Sequence, residues 1–274
     1  MMYYSLALFH AIVYLIGEIH NVISSLISEP CEFFLPSYLF AFQHLCIFTA
    51  NCGLVLSLVA LCCERGVATI RFNKYESNGI AFGLFLVLLT IIGVVATTIY
   101  VYDVSDFDAK VFSFSLLPPG AVEEYNKVAV ANIITCFLCI LILHISSRVN
   151  KKRCATSGAT LSSRYQTREN VITTQFAVHI ATLQVTFFVL QAIGGILARR
   201  LGDYYFSGNE KLCTSLRHMS YLAAMFTFML PIYSLRQLKY YRSKRQENIQ
   251  SIVSLESRGI AGTENYDHII TKLW

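Results

Sequence analysis

Ionisable side chains stand inside strongly apolar stretches of this chain, where a charge is costly unless it has a partner or a function. Glu18 lies in the first such stretch, His44 in the second and His218 in the last. A carboxylate with imidazoles nearby could conduct protons, bind an ion or contact a ligand. The sequence contains no HExxH, P-loop or GxSxG motif and no arrangement that indicates a nucleophile. We therefore predict a protein without enzymatic activity.

The composition sets the environment of these side chains. Apolar residues make up 55% of the 274 residues and charged residues 14%, whereas soluble domains carry about 25% charged residues. The sequence thus predicts a protein embedded in a lipid bilayer. The net charge of +5 does not indicate nucleic-acid binding. The nine cysteines do not form two CxxC pairs at zinc spacing, so neither a metal site nor a cofactor is predicted.

Six stretches are long enough to cross a bilayer, which takes about 20 mostly apolar residues. We predict spans at about residues 4–27, 37–63, 79–101, 128–145, 172–198 and 214–233. Lys and Arg are alternately scarce and abundant in the connecting loops, and loops rich in them stay in the cytoplasm. The prediction is an all-α membrane bundle over residues 1–245 with both termini cytoplasmic. Residues 246–274 are polar and are expected to form a disordered cytoplasmic tail.

An acid and an arginine adjoin at the inner end of the second span, as Glu64 and Arg65. One interpretation is an interfacial pair whose charged ends reach toward water. The other is a switch, in which the carboxylate holds the guanidinium in one state and releases it to a partner in another. Spacing alone leaves both interpretations open.

The segment before the fifth span is basic and carries signals for the start of a helix. Ser162 or Ser163 can act as the cap, so the fifth span is expected to continue as a helix into the cytoplasm. Arg164 and Arg168 then share one face, which either binds anionic lipid or docks a cytoplasmic protein. In the sixth span Pro231 removes one backbone hydrogen bond and is expected to kink the helix.

Polar residues recur at helical spacing in four of the spans, toward the outer leaflet under the predicted orientation. Such residues usually face the bundle interior, and a few polar groups among apolar walls are typical of a small-molecule pocket. The predicted pocket residues are Glu18, Asn21, Gln43, His44, Asn51, Gln184, Phe188, Gln191, His218 and Tyr221. The same stripes also contain Tyr14, Ser25, Phe48 and Met225.

The alternative for each pocket residue is an interhelical hydrogen bond, which stabilises a membrane bundle by about 0.6 kcal/mol. Glu18 is treated differently, because a lone carboxylate in hydrocarbon needs a partner. His44 or His218 could provide a proton or a charge for it. We therefore expect Glu18 to belong to the pocket or to an activation switch.

Three motifs taken together resemble a known family. They are Glu64-Arg65-x-x-Ala68-Thr69, Lys74-Tyr75-Glu76, and Leu161-Ser162-x-Arg164-Tyr165-Gln166-x-x-Glu169-Asn170. With these the chain resembles the nematode serpentine chemoreceptors of the Sra superfamily, most closely class AB, with classes alpha and epsilon as near relatives. The resemblance extends from the first to the sixth span. It implies a seven-helix, G-protein-coupled-type bundle whose first helix is absent from this chain.

This resemblance also implies a function. Such a receptor would lie in the plasma membrane of sensory-neuron cilia, bind a small external chemical in its outer half and signal to a cytoplasmic heterotrimeric G protein. The motif Glu64–Arg65 would correspond to the family's acid–arginine pair, and Pro231 with Tyr233 to its Pro-x-x-Tyr kink, although the spacing here is Pro-x-Tyr. The residues implied in switching and coupling are Glu64, Arg65, Arg164, Tyr165, Arg168, Pro231 and Tyr233.

Receptors of this kind usually have a disulfide between the outer end of their third helix and the next outer loop. Cys31 precedes the second span, but the loop at residues 103–127 has no cysteine. The other outward-placed candidate is Cys213, so a Cys31–Cys213 bond is the preferred pairing. The alternative to a receptor is a six-span transporter or channel, with intramembrane Glu and His residues on an ion or proton path. Transporters often show internal repeats and interrupted helices, and the lack of evident symmetry here favours the receptor.

Overall fold

The computed structural model describes residues 2–27, 36–70, 79–108, 114, 116–156, 161–205, 221–253, 266–268 and 270–271. Every regular element among them is helical, which confirms the predicted all-α fold. The six long helices are α1 (Met2–Ile27), α2 (Ser37–Ile70), α3 (Gly79–Val101), α4 (Val122–Thr156), α5 (Leu161–Tyr205) and α6 (Ala223–Val253). Two short 3-10 helices, Val104–Asp108 and Pro119–Ala121, connect α3 to α4.

Five segments of the described helices are long and apolar enough to cross a membrane. They are Met2–Ser24, Ser37–Ile70, Ile80–Val101, Pro119–Arg153 and Asn170–Ala198, and they coincide with the first five predicted spans. The sixth predicted span overlaps the start of α6, while its residues 214–220 lie outside the described part of the chain. Pro231 is inside α6 as predicted, and the kink at this position stays a prediction.

Helices continue beyond several of the predicted limits. α2 extends to Ile70, so Glu64 and Arg65 lie within the helix rather than at its end. α4 occupies Val122–Thr156 instead of residues 128–145. Hydropathy locates the part of a helix that lies in hydrocarbon, but backbone hydrogen bonding continues into water when the local sequence favours a helix.

The fifth and sixth helices show the same effect. α5 begins at Leu161, so the fifth helix does start before its predicted span, and the cytoplasmic location of that part stays a prediction. Ser162 and Ser163 lie in its first turn, and their side chains, on which the predicted cap depends, lie outside the described part of the structure. α6 runs to Val253, so the boundary between bundle and tail drawn at residue 246 falls inside a helix.

α2 is the central helix of the bundle. It packs against α1, α3, α4 and α5, and 56% of its most apolar segment is buried, compared with 6% for α3. Leu54 and Leu58 on α2 are fully buried. Leu58 belongs to a core shared with α4 and α5, and Leu54 to a core shared with α1, α5 and α6. The outward-facing leucines and isoleucines of the other helices form the surface that meets lipid.

The connection between α3 and α4 folds back onto the bundle. Phe114 is fully buried, with its ring edge-to-face against Tyr14 on α1. A Cβ atom on Gly17 would overlap the Phe114 ring, so glycine is required for this approach. Phe107 from the first 3-10 helix packs with Phe40 and the same ring. An aromatic cluster therefore covers the middle of α1 and the first turns of α2, on the side of the bundle that is predicted to be extracellular and is called outer below.

Candidate ligand-binding site

A cavity of about 70 Å³ lies between α2, α4 and α5. Its described lining residues are uncharged. The polar members are Asn51, Tyr125, Asn132 and Gln191, and the apolar members include Phe48, Cys52, Val128, Cys136 and Phe188. Asn51 stands 14 residues before Arg65 on α2, which corresponds to about 21 Å along the helix axis. The cavity is thus well separated from the inner end of the bundle.

Two polar residues of the cavity also hold the outer end of α6. Asn51 Nδ2 donates to the hydroxyl of Tyr221, just before α6, at 2.9 Å. Gln191 Oε1 accepts from the backbone N–H of Ala223 at 2.7 Å. That N–H lies in the first turn of α6, where it has no acceptor within the helix. The cavity wall and the position of α6 are therefore physically connected.

Tyr221 continues into a buried hydrogen-bond chain that links α1, α2 and α6. Its hydroxyl lies 2.6 Å from Nε2 of His10, which is fully buried. The Nδ1 of His10 lies 3.5 Å from the hydroxyl of Thr227, which donates its own proton to the Ala224 carbonyl. Nδ1 must therefore carry the imidazole proton, and Tyr221 donates to Nε2. The assignment follows from satisfying every donor in the chain.

One buried hydrogen-bond acceptor in this region has no donor. Asn51 Oδ1 is buried and has no hydrogen-bond partner among the described residues. A buried amide oxygen in this condition costs about 1–3 kcal/mol relative to a bonded one. Because Asn51 lines the cavity, a molecule in the cavity can supply the missing donor.

The predicted pocket residues are divided between this cavity and other places. Asn51, Phe188 and Gln191 line it, and Tyr221 contacts it through Asn51. Gln184 is fully buried and accepts a 2.6 Å hydrogen bond from Tyr3, so it links α1 to α5. The described lining does not include Glu18, Asn21, Gln43 or His44. Met225, expected on the same stripe as Tyr221, is 56% exposed and faces away from the interior.

His44 forms hydrogen bonds with the segment that connects α3 to α4, and not with Glu18. Its Nδ1 donates to the carbonyl of Phe114 at 2.8 Å, and its Nε2 accepts from the Tyr102 hydroxyl at 2.7 Å. Burial raises the pKa of Tyr102 well above its ordinary value, so this hydroxyl keeps its proton. Glu18 instead contacts the Tyr14 hydroxyl on its own helix. The expected pairing with His44 is therefore not formed, and His218 lies outside the described residues.

At the opposite end of α2, the predicted acid–arginine pair is in contact. Arg65 Nη2 lies 2.6 Å from Glu64 Oε1, and the two side chains are 17% and 28% exposed. Arg65 Nη1 donates to the hydroxyl of Thr173 on α5 at 2.7 Å. Partial burial strengthens such charge-assisted bonds relative to a fully solvated pair. The guanidinium therefore connects α2 to α5.

α4 holds the same end of α2 through Thr69. Asn150 Nδ2 donates to the Thr69 hydroxyl at 3.1 Å, and Arg153 donates to the Thr69 backbone carbonyl. A cation at a helix C-terminus is favourable because it compensates the carbonyls that have no partner in the helix. The sequence gives no sign of this contact, because Arg153 follows the fourth predicted span among other basic residues.

Several predicted residues lie where side chains are not described. Arg164, Tyr165 and Arg168 belong to α5, but their side chains lie outside the described part of the structure. Cys31 and Cys213 also lie outside it. The six described cysteines, at positions 46, 52, 62, 63, 136 and 139, are free thiols.

Comparisons with known proteins agree with the motifs. The family model described as "Serpentine type 7TM GPCR receptor class ab chemoreceptor" matches residues 26–261. The chain is 24% identical to serpentine receptor class beta-16 of Caenorhabditis elegans over 100% of this chain and 80% of that protein. It is 23% identical to class beta-3 of the same organism, over 90% of this chain and 72% of that protein. No solved structure matches. The wider superfamily and the absent first helix stay predictions.

Proposed function

Since the chain belongs to the serpentine seven-helix chemoreceptors of class ab, we propose that it binds a small neutral molecule between α2, α4 and α5. We further propose that it signals from the inner end of the bundle to a heterotrimeric G protein at the plasma membrane of sensory cilia. The proposal depends on one observation above the others. Two of the four polar residues that line the cavity, Asn51 and Gln191, also hold the outer end of α6.

The cavity limits the ligand. Its volume of about 70 Å³ is below the roughly 150 Å³ of a cavity that admits benzene, so the ligand has only a few non-hydrogen atoms. The uncharged lining offers no counter-ion, and transfer of an unpaired ion into such surroundings is very unfavourable. The unsatisfied Oδ1 of Asn51 favours a ligand that donates a hydrogen bond. Short-chain alcohols and primary amides have these properties, whereas carboxylates and ammonium ions do not.

Binding can be transmitted through the Asn51 amide. A ligand that donates to Oδ1 fixes the amide plane and polarises the Nδ2–H bond toward Tyr221. The ligand therefore stabilises the arrangement in which Asn51 holds α6. A ligand shifts an equilibrium only as far as its affinity differs between the two states. In the favoured state the Asn51–Tyr221 bond stays intact, while the ligand, which lies between α2 and α5, displaces α5 and with it the Thr173 contact of Arg65.

At the inner end of the bundle, Arg65 can pass the signal to the G protein. Arg65 is held by Glu64 and by Thr173 of α5, so movement of α5 relative to α2 changes what the guanidinium contacts. Gln191 on the outer part of α5 contacts α6 directly. A change at the ligand cavity therefore reaches the Thr173 contact through a single helix. We propose that Arg65, once released, contacts the G protein.

The test uses the full chain in lipid nanodiscs with a panel of small molecules of equal size. Binding of short alcohols is compared with binding of the ketones and ethers that lack a donor. We expect alcohols to bind about tenfold more tightly, since a bonded amide oxygen gains about 1–2 kcal/mol. Asn51→Leu should remove that difference. Thr186→Val, which changes an exposed position of α5, should retain it.

Coupling is measured separately as nucleotide exchange on an added heterotrimeric G protein. Arg65→Ala should leave alcohol binding unchanged and abolish ligand-stimulated exchange. Equal binding of donors and non-donors by both the wild-type chain and Asn51→Leu would exclude the cavity as the ligand site. Normal exchange by Arg65→Ala would exclude the proposed output.

A further inference from the structure

A second cavity opens on the lipid-facing side of the bundle, between α2, α3 and α4. Its volume is about 330 Å³. Its rim on the lipid side is formed by three exposed residues, Ala96, Tyr100 and Ala131. The neighbouring Ile99 is 73% exposed and belongs to the surface that meets acyl chains. We call this cavity the lateral cleft.

Small side chains produce the lateral cleft. α3 approaches α2 closely at Gly93, where an added Cβ atom would lie 2.9 Å from Leu56 Cδ1 of α2. One turn further along α3 the facing residues are Ala96 and Thr97, and α4 presents Ala131. None of these side chains is large enough to fill the space between three helices. α3 packs mainly against α2 and only slightly against α4, which leaves the space open toward lipid.

The lateral cleft and the ligand cavity share a wall. Cys52, Val128 and Asn132 line both of them. A molecule in the cleft is therefore separated from the ligand cavity by the side chains of three residues. Val128 and Asn132 are only half-buried, so their side chains are the part of this wall that can change rotamer. The amide of Asn132 gives this wall a hydrogen-bonding group next to the apolar Val128.

Packed aromatic residues lie at the predicted outer end of the ligand cavity. Phe48, which lines the cavity, is 6% exposed and contacts Tyr102 edge-to-face at a centroid distance of 4.9 Å. Tyr125 packs on Phe48 at 6.1 Å. Ala121 of the second 3-10 helix is buried in the same cluster. Phe48 and Tyr125 lie nearer to the predicted outer ends of their helices than Asn51 and Asn132, so this packing narrows the approach to the cavity from that side.

We propose that ligands reach the cavity from the bilayer, through the lateral cleft and past Cys52, Val128 and Asn132. This inference rests on the proposed ligand site and adds the class of ligand. The molecule must dissolve in hydrocarbon as well as donate a hydrogen bond, so it is a neutral, membrane-partitioning alcohol or amide rather than a water-confined solute. The bilayer raises the local concentration of such molecules at the cleft.

Native thiols provide the test. Cys136 lines the ligand cavity but not the cleft, whereas Cys139 lines neither. The full chain in lipid nanodiscs is treated with methyl methanethiosulfonate, which is neutral, or with its trimethylammonium-ethyl analogue, which is charged. Mass spectrometry of the peptides gives the labelling rate of each cysteine. We expect the neutral reagent to label Cys136 at least tenfold faster than the charged one, after correction for their rates with a free thiol.

Two substitutions fill the cleft from opposite sides, Ala131→Trp on α4 and Ala96→Trp on α3. Each should slow neutral labelling of Cys136 at least fivefold. The matched control is Val130→Trp, at an adjacent α4 position that is 47% exposed and does not line the cleft. It should leave the rate unchanged. A variant in which Cys139 is labelled faster than in the wild-type chain has lost its packing and is set aside. The lateral route is then judged from the rates at which the neutral and the charged reagent label Cys136 in the wild-type chain.

Equal labelling by the two reagents would overturn the lateral route, as would unchanged labelling in both cleft-filling variants. The measurement needs neither a natural ligand nor a G protein. A negative result here would therefore leave the proposed receptor function standing. Loss of the alcohol preference in the binding test, with a positive result here, would instead remove the ligand site and retain the route.

Discussion

The Tyr221 hydroxyl, just before α6, forms hydrogen bonds with Asn51 on α2 and His10 on α1. Its removal therefore tests how the interior of the bundle is held together. Tyr221→Phe deletes the oxygen and keeps the ring, including its stacking on Tyr14 at a centroid distance of 5.3 Å. The Asn51 amide loses its acceptor at 2.9 Å, and His10 Nε2 loses its donor at 2.6 Å. Both atoms remain in the interior without a replacement partner.

The size of the effect can be bounded from these contacts. Two interhelical hydrogen bonds at the membrane average give about 1.2 kcal/mol. Leaving the two buried groups unpaired costs about 1–3 kcal/mol each. We therefore expect Tyr221→Phe to lower the free energy of unfolding by about 1–6 kcal/mol. For a protein of this size the thermal midpoint should fall by several degrees, at about 2–4 °C per kcal/mol.

The assay is thermal unfolding of the full chain in detergent or nanodiscs. Tyr38→Phe is the control, since Tyr38 is 76% exposed. A double variant, Tyr221→Phe with His10→Leu, should be less destabilised than the sum of its single variants, because removing both partners leaves one fewer orphaned group. Equal midpoints for Tyr221→Phe and Tyr38→Phe would refute the network, and strict additivity in the double variant would refute the His10 bond.

Three further substitutions test the outer connection and the inner end. Gly17→Ala should displace Phe114 and cost about 1–3 kcal/mol, whereas Gly83→Ala, where a Cβ has open space, should not destabilise. Equal thermal midpoints for the two would contradict the close approach. His44→Phe should free the connection between α3 and α4 and accelerate its proteolysis at least severalfold, and unchanged cleavage would be the contrary result. Thr173→Val should raise ligand-independent nucleotide exchange severalfold, a rise that Thr186→Val should not produce.

The membrane-spanning part of the fold could be predicted from the sequence, because hydrocarbon admits few solutions for a polypeptide backbone. α3 shows this best, since its 23 uncharged residues coincide with the predicted span. The ends of α2 and α6 could not be predicted in the same way. Hydropathy falls at Glu64 and again after Tyr233, but the helix persists in both places.

The lining of the candidate cavity could be predicted only in part. Asn51, Phe188 and Gln191 were found because polar and aromatic residues at helical spacing usually face a bundle interior. His44 satisfied the same rule and is nevertheless occupied by Phe114 and Tyr102. Spacing identifies the face on which a side chain lies, but it does not reveal which distant residue arrives there. The chain connecting α3 to α4 supplies both partners, and its path depends on tertiary packing.

His10 was missed although a signal was present. It stands four residues before Tyr14 and eleven before Asn21, so all three lie on one face of α1. Extension of the predicted stripe by one turn would have included it. Its partner Thr227 carries no such signal, because serine and threonine occur on every face of membrane helices and often bond to their own backbone.

The contrast between α2 and α3 has a consequence for how the sequence can vary. α2 is enclosed by four neighbours, so nearly every one of its positions meets another side chain and few replacements fit. In α3 only 6% of the most apolar segment is buried, and most of its side chains are exposed or half-buried. A saturation library of the two helices should accept most aliphatic exchanges in α3, with Gly93 and the cleft-facing alanines as exceptions. Divergent copies of such a gene would then differ first in the helix that touches lipid, and with it in which hydrophobic compounds can pass.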